Sequence, residues 1–231
     1  MRLVIAEKKS VATAIAQALC AAPVQKDGCY ECGQLLVTWA QGHLIDLAMP
    51  EDYKDRDWGK WSLDTLPVDP SGHWQWKIST ERGAGSRYRQ IVQLIRRADV
   101  DCLVNACDPD REGEAIFRRI ADMEGSRKPE LRLWVASLEA EAIAWRAMKP
   151  ESEYRGLAWS AEIRSKADWL TGMNASRAYS LLYNARFSVG RVQTPTLAMI
   201  AERDRQIRSH KPVPFWTVIA DMGGWRLSSE R

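Results

Sequence analysis

Asp108-Pro109-Asp110-Arg111-Glu112-Gly113-Glu114 decides how the rest of the chain is read, because it puts four carboxylates within seven residues. Before it runs Cys102-Leu103-Val104-Asn105-Ala106-Cys107, an apolar stretch of strand length. After it, Ala115, Ile116, Ile120 and Met123 recur at helical spacing within Glu112 to Met123. The acidic run therefore joins a buried strand to a helix. One or two acids at a helix start need no more than the macrodipole to explain them. Four, with Pro109 and Gly113 shaping the turn, repel one another enough to favour a bound divalent cation. Donors that are all oxygen favour Mg2+.

A second unit of the same kind opens the chain. Arg2-Leu3-Val4-Ile5-Ala6 reads as a short strand that ends in Glu7. Lys8, Lys9 and Ser10 follow, and a helix is expected from Val11 to Leu19 with Ser10 as its N-cap. Two strand–acid–helix units imply neighbouring parallel strands, and ligands bind at the carboxyl ends of such strands. Glu7 would then face Asp108, Asp110 and Glu112 across that edge. Taken alone, Glu7 is an ordinary solvated strand end.

Elsewhere the pattern is α/β up to about Met148-Lys149-Pro150 and helical after it. Tyr30 to Ala40 read as a hairpin, Asp52 to Trp76 as a loop-rich stretch, and Ile91 to Arg97 as helix. Leu131 to Ala136 read as a strand and Glu139 to Met148 as a helix. Leu157 to Leu182 have helical periodicity with an interruption at Gly172. Val192 to Arg208 are helical, and Phe215 to Met222 alternate as a strand.

With 231 residues and 45% hydrophobic content, the chain can build one sizeable core and part of a second. No apolar run is long enough to span a bilayer. Glu7, Lys8 and Lys9 break the opening apolar stretch, so it does not read as a signal peptide. The expected location is the cytoplasm. The net charge of +3 is too small to imply nucleic acid. Its distribution says more. Residues 1–150 carry 21 basic and 22 acidic side chains, net −1, and residues 151–231 carry 12 and 8, net +4. A metal-binding acidic part beside a basic part suits a phosphodiester. The five cysteines are Cys20, Cys29, Cys32, Cys102 and Cys107. Cys29 and Cys32 form a CxxC pair, but no second pair follows, so zinc is rejected and all five are expected to be buried, reduced thiols.

Glu7 after the first strand, together with the DPDREGE run, resembles a Toprim domain. Five further segments narrow the likeness: Gln41-Gly42-His43-Leu44, the stretch from Trp61 to Pro67, Ser165 to Leu170, Gly172 to Ala178, and Ser188-Val189-Gly190-Arg191-Val192-Gln193-Thr194-Pro195-Thr196-Leu197. In this order they resemble the N-terminal part of type IA DNA topoisomerases, most of all bacterial topoisomerase III. The resemblance covers nearly the whole chain. It implies an α/β Toprim fold (a Rossmann-like parallel sheet with flanking helices) followed by a partial, mainly helical domain. The implied boundaries are 1–138 for Toprim, 139–150 for a connecting helix, 151–212 for the start of the helical DNA-binding domain, and 213–231 for the first strand of a gate domain.

The resemblance also implies a mechanism: ATP-independent cleavage of one DNA strand by a tyrosine, strand passage, and resealing. Glu7 matches the acid that handles the proton of the 3′ oxygen, and Lys8 the cation beside the scissile phosphate. Glu7, Asp108, Asp110 and Glu112 match a Mg2+ site. Trp61 and Trp169 match positions that stack on unpaired bases, and Arg177 and Arg191 match residues that grip the strand's backbone. Ser188, Val189, Gly190, Val192 and Gln193 complete the implied contact with single-stranded DNA. Arg186 is a candidate only.

Two departures stand out. Lys9 replaces the proline usual after Glu-Lys. None of Tyr30, Tyr53, Tyr88, Tyr154, Tyr179 and Tyr183 is followed by Pro-Arg, so the nucleophile's segment is missing. The chain is therefore expected to be a truncated N-terminal part, inactive alone, with no membrane association. Two alternatives stay open: a non-catalytic remnant that binds Mg2+ and single-stranded DNA, and, more weakly, a Toprim nuclease or primase.

Overall fold

The computed structural model describes residues 1–134, 136–137 and 148–229. Its elements are β1 (Arg2–Ala6), α1 (Lys9–Leu19), β2 (Val24–Lys26), β3 (Cys29–Cys32), β4 (Leu35–Trp39), β5 (Ile45–Leu47), β6 (Trp76–Ile78), α2 (Ala84–Ile95), β7 (Cys102–Ala106), α3 (Arg111–Glu124), β8 (Glu130–Arg132), β9 (Lys149–Pro150), α4 (Arg155–Leu182), α5 (Gln193–Arg208), β10 (Ile219–Asp221) and β11 (Arg226–Ser228).

The main sheet has the order β2-β3-β4-β1-β7-β8-β9. Its centre is parallel: β1 pairs with β4 and β7, and β7 with β8. Both outer edges are antiparallel. Side chains alternate across the sheet, as strand geometry requires. Val4, Ala6, Val37, Val104 and Ala106 face α1, meeting Val11 and Ile15. Leu3, Ile5, Leu36 and Leu103 face the other way, into a core filled by Tyr88 and Ile91 of α2 and by Ile116, Phe117 and Ile120 of α3. Each such large side chain, removed from water, contributes about 1.5–3 kcal/mol. The α/β expectation, a parallel sheet flanked by helices and followed by helical structure, holds.

The pairing register carries the functional consequence. Ala6 lies opposite Trp39 on one side and Ala106 on the other. The next residues of all three strands therefore leave the sheet at one edge, bringing Glu7-Lys8, Gln41-His43 and Asp108-Glu112 together.

Several local expectations are corrected. Ser10 is inside α1; Lys8 is the N-cap and makes no side-chain cap bond. The helix after residue 150 is unbroken at Gly172. A Cβ at residue 172 would sit 3.3 Å from the Val189 carbonyl oxygen, so glycine admits a close-packed loop there. The strand expected over 131–136 pairs only as β8, and that over 215–222 only as β10, which forms a hairpin with β11. Of the helix expected over 139–148, residues 139–147 lie outside the described residues.

The cysteines are also corrected, because Cys20 and Cys32 form a disulfide. Residues 29 and 32 are three apart on β3, so their side chains leave opposite faces. Cys29 joins the α2–α3 core, whereas Cys32 faces α1, whose C-cap is Cys20. The same divergence keeps the CxxC pair from converging on a metal. Cys29, Cys102 and Cys107 are free.

Two compact units emerge, Met1–Val189 and Gly190–Arg231. In the first, α4 packs along α3. The second consists of α5 and the β10–β11 hairpin, and all of α5 is exposed. Among the described residues, no helix is long and apolar enough to cross a membrane.

Candidate active site

The acidic turn is held by its own backbone. Asp110 is extended and caps α3, its Oδ1 accepting from the Gly113 N–H at 2.8 Å. The Asp110 N–H donates to the Asp108 carbonyl at 2.8 Å, and the Glu114 N–H to the Asp110 carbonyl at 3.1 Å. The turn doubles back so closely that a Cβ on residue 113 would lie 2.2 Å from the Asp108 carbonyl oxygen. Only glycine fits there. Glu112 and Glu114 occupy the first turn of α3, where the macrodipole favours acids.

Across the edge, Lys8 joins the two strand ends. Its Nζ lies 2.8 Å from Asp108 Oδ2 and 3.2 Å from Glu7 Oε1. Asp108 first, then Glu7, stabilise the ammonium and push its pKa up to about 12. The turn after β4 closes over the same place: the Gln41 and Gly42 N–H groups donate to the Glu7 carbonyl at 2.8 and 3.4 Å. Gln41 takes a positive φ of 73° to do so. His43 then stands with Nε2 3.9 Å from Glu112 Oε2, while Arg119 contacts its Nδ1 at 3.2 Å. Arg119 also donates to Ser165 on α4 at 2.8 Å and lies over the Trp76 ring.

Glu7, Lys8, Asp108, Asp110 and Glu112 thus share one edge, but the four acids are not gathered into a single ligand set. Lys8 bridges two of them, the helix start engages Asp110, and His43 neighbours Glu112. Among the described residues, no three His, Cys, Asp or Glu side chains converge as a metal site. The donor chemistry nevertheless suits Mg2+: hard carboxylate oxygens, with Glu112 and Asp108 part-exposed at 42% and 36%.

Beneath the turn lies a polar network that the sequence reading passed over. Arg132, Glu114, Asn105 and Glu151 are all buried. Arg132 Nε donates to Glu114, and Asn105 Nδ2 donates to Glu114 at 2.9 Å and Glu151 at 3.1 Å. Burial first, then the neighbouring Glu114, push the Glu151 carboxyl up to about 8. The available signal was a polar residue inside each of two apolar strands, Asn105 and Arg132.

The remaining site residues form a second group along α4. Asn174 exchanges hydrogen bonds with the backbone of Val68, at 2.6 and 2.9 Å, and pins the loop that carries Trp61. Trp61 is 50% exposed. Arg177, expected through the resemblance to grip the strand's backbone, lies buried beneath this loop. It is 2% exposed, donates to the Trp58 carbonyl, and lies 5.2 Å from the centre of the Trp61 ring. Burial lowers its pKa. Trp169 is half-buried and meets Trp74 edge-to-face at 5.5 Å. Ser176 and Ser180, one turn apart, bond the backbone of Val189 and Phe187 and lay that loop, with Ser188, along α4. In the other unit, the Gly190 N–H donates to Thr194 at 3.1 Å, Arg191 and Val192 are exposed, and Gln193 begins α5.

Comparison with known proteins finds two family models along the chain. The Toprim domain model matches residues 2–138, and a DNA topoisomerase model matches residues 152–230. DNA topoisomerase 3 of Bacillus subtilis is 39% identical over 228 residues, covering 98% of this chain and 31% of the relative. DNA topoisomerase 3 of Staphylococcus aureus is 36% identical over 230 residues, covering 99% and 32%. The chain thus spans about a third of the length of the curated relatives it matches. Full-length topoisomerase I from Thermotoga maritima superposes with a TM-score of 0.62 at 20% identity, over 98% of this chain and 34% of that one, a likeness of fold. With the Toprim model matching more than half its residues, the chain belongs to the Toprim family.

Proposed function

We propose that this chain supplies the acid, cation and metal half of a type IA topoisomerase cleavage site, together with part of its groove for single-stranded DNA. The observation that carries this is Lys8 standing between Glu7 and Asp108 at the shared strand edge. With a pKa near 12, Lys8 stays charged at neutral pH and offers a cation to a phosphate brought to that edge. Glu7, held against Lys8 and covered by the Gln41 turn, is the group that holds and returns the proton of the 3′ oxygen. Asp108, Asp110 and Glu112, with Glu7, would hold Mg2+, which supplies positive charge to orient the phosphate and the 3′ hydroxyl. Arg177 lies against the Trp61 ring, and that part-exposed indole is where a base can stack. Arg191 takes the phosphate contact.

The nucleophilic tyrosine is not among the six in this sequence in its usual context. No covalent step is therefore assigned to these six tyrosines. Labelled single-stranded DNA mixed with this chain should bind, and Trp61→Ala should weaken binding by about 1–3 kcal/mol. After denaturation no DNA should remain attached. A tyrosine-linked adduct, or unchanged affinity in the folded Trp61→Ala protein, would contradict the proposal.

A further inference from the structure

We propose that Arg132 is the positioning residue of the acidic turn, an inference that rests on reading that turn as a Mg2+ site. Arg132 is 1% exposed. Its guanidinium donates to the carbonyl oxygens of Asn105 at 3.1 Å, Cys107 at 2.9 Å, Asp108 at 2.9 Å and Leu133 at 3.0 Å. Its Nε donates to Glu114. Three of those carbonyls belong to the end of β7 and the first residue of the turn. The Asn105 carbonyl still accepts the Leu133 N–H at 2.8 Å, whereas at Cys107 and Asp108 the chain leaves the sheet and its carbonyls take partners outside the ladder.

Three of the carbonyls share Nη1 and the Asp108 carbonyl takes Nη2, an arrangement that calls for the planar fork of a guanidinium. The contacts to Asn105, Cys107 and Asp108 each fix a peptide plane just before, or at, Asp108. The Asp108 carbonyl is held a second time by the Asp110 N–H, and the Cα of Gly113 is packed against it. Arg132 therefore sets the backbone from which the Asp108 carboxylate projects toward Lys8, and the start of the helix that bears Asp110 and Glu112. A buried ion pair is by itself weak reason to expect added stability. What this one provides is the register of a turn, through contacts with backbone rather than with a ligand.

The test uses two variants, checked first for folding by circular dichroism. Arg132→Lys keeps a charge opposite Glu114 but loses the fork. The double variant Arg132→Met, Glu114→Met removes both buried charges, a replacement proteins often tolerate without loss of stability. Mg2+ affinity is measured by calorimetry, and amide hydrogen exchange is followed at Asp110 and Gly113 against Ile15 and Ala16 of α1 as reference. Both folded variants should bind Mg2+ about 10- to 100-fold more weakly than wild type. Exchange at Asp110 and Gly113 should rise about tenfold while the α1 amides stay unchanged. A purely structural role would raise exchange at all four positions together. Wild-type exchange at Asp110 and Gly113 in either folded variant would overturn the inference. Mg2+ binding indifferent to Asp108→Asn in the wild-type background would instead overturn the metal site, while the exchange result would still decide the role of Arg132.

Discussion

Gly113 and Glu151 bear the site's most demanding local constraints. At residue 113 a methyl group would meet the Asp108 carbonyl at 2.2 Å, a distance that backbone atoms cannot accommodate without moving the turn. Gly113→Ala should therefore destabilise the fold by about 1–3 kcal/mol, in the range of overpacked sites. Urea denaturation checks this, and an unchanged midpoint would contradict it. Glu151 makes a prediction in pH. It faces Glu114, Asn105 and Arg132, with Arg118 also nearby, and its carboxyl is raised from an ordinary 4.5 to about 8. The folded state thus prefers the protonated form. That stabilising preference is fully present below pH 4.5 and is lost as pH rises toward 8. Glu151→Gln should flatten this part of the stability–pH curve, as followed by thermal unfolding between pH 5 and 8. A curve of wild-type slope would show that Glu151 is not the titrating group.

At the level of elements, the strand-to-helix reading of 102–123 survives nearly intact as β7 and α3, and the opening unit survives as β1 and α1. Both are long patterns with one buried face, which periodicity reports well. The edge shared by Glu7 and Asp108 was legible for the same reason, since parallel neighbours align their ends. The network of Asn105, Glu114, Arg132 and Glu151 was not, because it joins residues up to 46 positions apart through buried polar contacts that leave no period. Gly172 was misread as a break: its reason is the Val189 carbonyl against α4, a tertiary contact. The burial of Arg177 under Trp61 was not legible, because single-residue chemistry cannot tell a buried guanidinium under a tryptophan from an exposed one. The cysteines failed because Cys20 and Cys32 meet only once α1 lies on β3. Thiol titration of the unfolded chain without reductant should therefore find three reactive groups, rising to five after reduction. Closing a loop of 12 residues should stabilise the protein by about 3 kcal/mol, lost on reduction. Five thiols before reduction would remove the disulfide from the account.

Over the whole molecule, the two matched domains divide the chemistry. The Toprim part brings acids and Lys8 to one edge, and the part after residue 150 pins loops along α4 and carries the excess of positive charge. Arg191 is exposed, and on the proposed function it takes the phosphate contact. Arg191→Ala should flatten the salt dependence of single-stranded DNA binding by about one unit of slope. The central claim, that the acidic edge is a Mg2+ site, is tested most directly by calorimetric titration of Mg2+ into wild type and into the double variant Asp108→Asn, Asp110→Asn. Asparagine is itself a good N-cap, so α3 should keep its start. Wild type should bind Mg2+ and the folded variant should bind it at least tenfold more weakly, in line with the loss of two carboxylate ligands; equal binding by the two proteins would contradict the site.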